Sequence, residues 1–159
     1  MKRASTFLPV LIVTAALASL AIAGCGSATA GTPADATVAG GAFAGYKWQV
    51  VTITHAGKQT PIPARYDVYL SFARSGQFGA NEPVNYHGGT YRTTGDGFTT
   101  GPMSSTAAGY GGHDPVTLLA VSAISAFNPG VDAATTMNGN RLAVTVGGYQ
   151  LGCQRDGAA

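Results

Sequence analysis

The stretch Leu142-Ala143-Val144-Thr145-Val146-Gly147-Gly148-Tyr149-Gln150-Leu151-Gly152-Cys153 decides the class of fold. Leu142, Val144 and Val146 alternate with smaller or more polar neighbours, and Tyr149, Leu151 and Cys153 alternate again beyond the two glycines. Successive side chains of a strand point to opposite faces, so a period of two marks a strand with one face buried. A Gly-Gly pair supplies the positive φ angles that a two-residue hairpin turn requires. The stretch predicts an antiparallel hairpin.

The same period recurs toward the N-terminus. Val68, Leu70 and Phe72 share one face, with Asp67, Tyr69 and Ser71 on the other. Tyr46, Trp48, Val50 and Thr52 share a face opposite Lys47 and Gln49, over a β-branched run ending at Thr54. Ala56-Gly57-Lys58 predicts a turn, Pro61 and Pro63 an irregular connection, and Ser75-Gly76 a turn into Gln77-Phe78-Gly79. Gly95-Asp96-Gly97 predicts a hairpin turn between residues 91–94 and 98–103. One stretch has the helical period instead. Val116, Leu119, Ala120, Ala123, Ile124 and Phe127 form an apolar stripe, Asp114 is placed to cap it, and Pro115 suits its first position. Asn128-Pro129-Gly130 ends the pattern. Strands, one helix at about residues 115–128, then strands again: the expectation is α+β, an antiparallel sheet packed on a single helix.

Composition narrows the function. Charged residues make up 10% of the 159, against about 25% in an average soluble domain, while 45% are hydrophobic. That balance excludes a charge-driven disordered tail and a polybasic binder, and the scattered glycines exclude collagen.

Met1-Lys2-Arg3 followed by the apolar residues 7–23 has the pattern of a secretory signal peptide, and is short for a membrane span. Ile22-Ala23-Gly24-Cys25 resembles the bacterial lipobox, which predicts a lipidated Cys25 after removal of residues 1–24. Two or more acyl chains anchor a protein stably, so the expected location is the extracytoplasmic face of the cell membrane. Residues 25–42, rich in Gly, Ala and Thr, read as a flexible tether, and residues 43–159 as the folded domain. Loss of Lys2 and Arg3 takes the nine basic residues to seven against seven acids, so the net charge falls from +2 to zero. A neutral chain disfavours nucleic acid as a partner. Cys153 is left without an intrachain partner, so a disulfide framework is not expected.

The order of motifs resembles the META/HslJ-like domain of bacterial envelope proteins, over residues 43–155. An opening aromatic strand carries Trp48, and a second strand ends in Phe72 before a small-residue turn and Gly79. Asn85-Tyr86-His87-Gly88-Gly89-Thr90-Tyr91 resembles the family's Asn-x3-Gly-x-Tyr, and the segment ending in Thr106 resembles its Ser-Thr before the helix. Tyr149 to Arg155 resemble the closing hairpin. Many members carry a cysteine pair where Val84 and Tyr110 stand here, which sets a redox role aside. The resemblance implies a half-barrel-like α+β sheet and an association with secreted or lipid-anchored proteins of stress responses. It brings no catalytic residues.

Asn85, Gly89, Tyr91 and Thr106 are the motif positions, expected to be structural with ligand contact as the alternative. Asn85 suits hydrogen bonds to nearby backbone and a left-handed conformation. Tyr86 and Tyr110 would make a partner patch if exposed. His55, His87 and His113 are the only imidazoles, and a zinc site would need all three, or two with a carboxylate such as Glu82 or Asp114. Their spacing supports no metal site, and no cofactor is expected. Ser104-Ser105-Thr106 ahead of His113-Asp114 invites a hydrolase reading, but no nucleophile elbow is present and Asp114 is spoken for as helix cap. Trp48, Tyr66, Phe72 and Tyr91 are assigned to the core, and Cys153 to a buried, unreactive position. These readings favour a lipid-anchored, non-enzymatic envelope protein acting in stress tolerance or envelope integrity through binding. A specific binder or inhibitor of a secreted protein or peptide is the alternative, and a hydrolase ranks below both.

Overall fold

The computed structural model describes residues 41–159. The predicted signal peptide, Cys25 and the tether up to residue 40 lie outside the described residues. Among the described residues there are nine strands and one α-helix: β1 (Tyr46–His55), β2 (Lys58–Pro61), β3 (Tyr69–Phe72), β4 (Gln77–Asn81), β5 (Tyr86–Thr93), β6 (Gly97–Ser105), α1 (Pro115–Ile124), β7 (Asp132–Asn138), β8 (Arg141–Val146) and β9 (Tyr149–Ala158).

The expected hairpins form where turn chemistry and alternation agree. Gly147 and Gly148 join β8 to β9 with φ of 52° and 83°. Leu142, Val144, Val146, Leu151 and Cys153 point inward from the two strands. Thr94 N–H donates to Gly97 O at 2.9 Å to close the β5–β6 turn. Ala56 and Gly57, at φ of 49° and 77°, turn β1 into β2, so Lys58 opens a strand rather than completing the turn.

The sheet corrects the expected architecture. Its order is β2-β1-β3-β4-β5-β6-β7-β8-β9, and β1 also pairs with β9, so β1 and β3 to β9 close into an eight-stranded antiparallel barrel. It is not a half-barrel backed by a helix. Closure follows from how β1 divides its edges. On one side Tyr46 to Gln49 pair with β3 and Thr52 to His55 with β2, while the other side pairs with β9 from Tyr46↔Ala158 to His55↔Tyr149. Closing a sheet on itself satisfies the backbone groups that two free edges would leave open. The β1–β9 ladder shifts register at Val50/Thr52, and a bulge of this kind bends and twists a strand. It also changes the phase of β1. Val51 is pushed out to 43% exposure and Ile53, not Thr52, is the next residue fully buried after Val50.

The helix also plays a different part from the one expected. Asp114 caps it, accepting from Thr117 N–H at 2.8 Å, and Pro115 occupies its start. It ends at Ile124 rather than near residue 128, because Ser125 to Phe127 tighten into a turn with short-range backbone bonds. Ala120, Ala123 and Ile124 are fully buried, Phe127 lies 5.4 Å from Phe78 and 6.1 Å from Phe98, and Ala126 abuts Gly147 of the β8–β9 turn. The helix thus covers one end of the barrel. At the other, Arg155 lies 4.0 Å from the Tyr46 ring centroid, and Trp48 Nε1 donates to Phe43 O at 2.9 Å. Between the ends the axis is filled. Phe98 packs against Phe43, Phe72, Phe78, Tyr91 and Phe127 in one aromatic cluster, with centroids 4.9–6.1 Å apart. Aromatic side chains bury the most apolar area per residue, and this cluster ties four strands to the helix end.

Candidate functional site

The motif residues occupy the connection between β4, β5 and the segment after β6. Asn85 precedes β5, and its side chain reaches forward rather than folding back on its own turn. Its Oδ1 accepts from Thr106 Oγ1 at 3.0 Å and from Ala108 N–H at 2.8 Å, and its Nδ2 donates to Ala108 O at 3.2 Å. Thr106 Oγ1 in turn accepts from Tyr86 N–H at 3.1 Å, and Thr106 N–H donates to Tyr86 O at 3.0 Å. Asn85 and Thr106 therefore form a clamp that holds the start of the 106–113 connection against β5. The positive-φ non-glycine residues are Ala56 and Asp67, so Asn85 does not use the left-handed conformation expected of it.

Gly89 and Tyr91 lie further along β5. A Cβ on Gly89 would stand 2.5 Å from Pro102 O and 2.6 Å from Met103 Cγ, so glycine lets β6 approach at the bulge between Gly89 and Tyr91. Tyr91 buries its ring in the aromatic cluster and donates its hydroxyl to Ala73 O at 3.0 Å. Burial pushes its phenol pKa up, against a smaller opposing effect of Arg74.

One pairing was not anticipated from spacing. Glu82, which follows β4, is a buried carboxylate whose Oε2 accepts from Val84 N–H at 2.7 Å. Its Oε1 lies 3.5 Å from His87 Nε2. A tight turn with Pro83 at its second position folds Glu82 back beside His87, and that Glu-Pro-x-Asn-x-His spacing is the signal that could have found the pair. His55 instead stacks on Tyr149 with centroids 4.3 Å apart, and His113 is exposed. Among the described residues no three His, Cys, Asp or Glu side chains gather as a metal cluster.

The serines do not join His113. Ser104 Oγ donates to Gly88 O at 3.4 Å and Ser105 Oγ to Thr106 O at 2.8 Å. Asp114 carries the helix cap, and its carboxyl is held below the usual range by the Thr117 N–H and then by the Thr117 hydroxyl. Cys153 is buried, and burial pushes its thiol up to about 12.

On the barrel's outer face the register aligns Ser71, Gly79, Gly88 and Ser104 across β3, β4, β5 and β6. Tyr86, 44% exposed, lies over this row, its hydroxyl 2.7 Å from where a Gly79 Cβ would sit. The result is an open groove of about 630 Å³ whose walls include Gln77, Pro102 and Met103. Tyr110, 40% exposed, accepts from Asp114 N–H at 3.3 Å. Both tyrosines thus meet the exposure that a partner patch requires.

A closed, aromatic-filled antiparallel barrel with a helix over one end is the class these features define. Within that class, residues 41–115, from the first described residue to the start of α1, match the family described as META domain. The match stops short of β7, β8 and β9, which the fold nonetheless needs to close on β1. A protein from Burkholderia xenovorans, solved by NMR, has a similar fold with a TM-score of 0.54 at 15% identity, covering 72% of this chain and 83% of that one. Among curated proteins, none matches this sequence.

Proposed function

We propose that this chain is a non-enzymatic, lipid-anchored protein of the cell envelope that acts by binding, in stress tolerance or envelope integrity. The observation that carries the binding half is the filled barrel axis. With Trp48, Phe72 and Phe98 fully buried along it, recognition falls to outer surfaces such as the Tyr86 groove. The anchoring half rests on Ile22-Ala23-Gly24-Cys25 and the basic and apolar segments before it. In this reading the membrane is reached through the N-terminal lipid alone, the partner is an envelope protein or peptide, and no nucleic acid or cofactor takes part.

Fractionation of cells expressing wild type and Cys25→Ala tests the anchor. Wild type is expected in the membrane fraction with an acylated Cys25 by mass spectrometry, and the variant in soluble or unprocessed form. Membrane association of a mature-sized Cys25→Ala chain overturns it. The alternative, a specific inhibitor or binder of one secreted protein or peptide, is favoured by the exposed Tyr86 and its groove. For that reading, Tyr86→Ala should abolish saturable capture of a single envelope partner by the full chain while leaving its fractionation unchanged.

A further inference from the structure

The bulge that turns Val51 outward opens onto a second outer trough, on strands other than those of the Tyr86 groove. Register aligns Thr136, Ala143, Gly152 and Thr52 across β7, β8, β9 and β1. None of the four carries a long side chain, and a Cβ on Gly152 would collide with Thr52 Oγ1, so this row is a floor. Val51 borders it, and bulges are a device by which a strand re-aims a side chain toward a site. Asn138, Arg141 and Gln154 stand directly opposite one another in the adjoining row and form one wall. The trough holds about 460 Å³, within the range of small-molecule sites. Arg141 is the one charged side chain in its lining, and no acid faces it there. Among the described residues the ion pairs join Lys47 to Asp156 and His87 to Glu82, leaving Arg141 without one.

We propose that this trough binds a small monocarboxylate with a linear apolar body, its head at Arg141 and its tail over Gly152 toward Val51. Charge sets the head. A guanidinium presents a planar fork of donors that matches a carboxylate, and the Asn138 and Gln154 amides on either side can donate to the same two oxygens. Shape sets the body. From β8 to β1 is two strand spacings, about 10 Å, the reach of a medium-length alkyl chain, and the small floor residues leave room for nothing wide. The apolar end is supplied by Val51, 43% exposed because of the bulge. A free carboxylate suits the floor better than a peptide does. β8 and β9 are paired on both sides, and so is β1 at Thr52, so a peptide main chain would find no ladder partner, whereas an alkyl body needs none. The site stands independently of the lipid anchor and of the Tyr86 groove.

Titration of the purified full-length chain with hexanoate tests the site, read by NMR at the Val51 and Gly152 amides and the Arg141 Nε–H. Hexanoate should shift all three together and saturate below about 10 mM. Acetate, which lacks the body, and 1-hexanol, which lacks the charge, should each bind at least about tenfold more weakly. Arg141→Gln should weaken hexanoate by at least about tenfold, while Arg92→Gln, the same change of charge on the exposed face of β5, leaves it unchanged. Ala143→Leu, which fills the floor, should abolish binding; should that variant fail to fold, the Arg141 Nε–H of the wild-type chain still decides. The proposal is overturned if wild type shows no saturable shift up to about 10 mM hexanoate, or if 1-hexanol moves the three signals as strongly. Undiminished binding to Arg141→Gln overturns it as well. So does saturation by acetyl-alanyl-leucine with none by hexanoate, which would assign the trough to peptide ends.

Discussion

Replacing Asn85 with alanine removes three hydrogen bonds at once: the two accepted by Oδ1 from Thr106 Oγ1 and Ala108 N–H, and the one donated to Ala108 O. A typical intramolecular hydrogen bond contributes about 0.5–1.5 kcal/mol net of hydration. These lie at the surface, where the released Thr106 and Ala108 groups regain water, so the expected loss is about 1–3 kcal/mol rather than the full sum. For a domain of this size that is a fall in melting temperature of roughly 4–12 °C. The effect should be local as well as global. Thr106 Oγ1 also accepts Tyr86 N–H, so native-state hydrogen exchange should speed up at the Ala108 and Tyr86 amides while the β8–β9 amides follow global stability only. Asn85→Asp keeps both acceptor positions but loses the donor to Ala108 O, and should fall between wild type and alanine. An Asn85→Ala chain melting within about 1 °C of wild type, with Ala108 exchange unchanged, would refute the clamp.

Gly97 abuts β7 where the β6–β7 seam is only Gly97↔Ala134, Phe98↔Ala133 and Thr99↔Asp132, and a Cβ there would fall on Ala133 O. Gly97→Ala should cost about 1–3 kcal/mol or more in urea denaturation, whereas Gly95→Ala, with open space around it, should be nearly neutral. With its thiol pushed up to about 12 by burial, Cys153 should resist iodoacetamide in the folded chain at pH 8 and react after denaturation, as read by peptide mass mapping. The Asp114 carboxyl titrates below its unfolded value, so its stabilising effect is complete above that value and disappears as pH falls through the folded one. The stability difference between wild type and Asp114→Ala, measured by urea denaturation, should therefore be constant from pH 7 to pH 5 and shrink below about pH 4.

The elements legible in the sequence are those whose signal is local. Val68, Leu70 and Phe72 alternate cleanly and are all fully buried, and Asp114-Pro115 marks the helix start that the structure uses. Barrel closure is not local. It joins Tyr46 to Ala158 and His55 to Tyr149, pairings about a hundred residues apart, through a bulge at Val51 that changes which residues of β1 face inward. β7 has no alternation to read, because Ala133 is its one buried residue. β2 carries no buried face, because Lys58, Gln59 and Pro61 are exposed, so its sequence has the character of a connection. At the site, the motif residues themselves were legible, but Asn85 bonds Ala108, 23 positions on, where no spacing rule points. Glu82 and His87 stand five positions apart, and only the turn at Pro83 brings them together.

Because β1 takes its longest pairing from β9, the first strand of the barrel has no permanent neighbour on that side until the last ten-residue strand arrives. A chain synthesised from the N-terminus keeps one backbone edge of β1 open until β9 is made. Completion is then a single late zippering event, and any stall before Tyr149 emerges would leave that edge available to a chaperone or to another stalled copy.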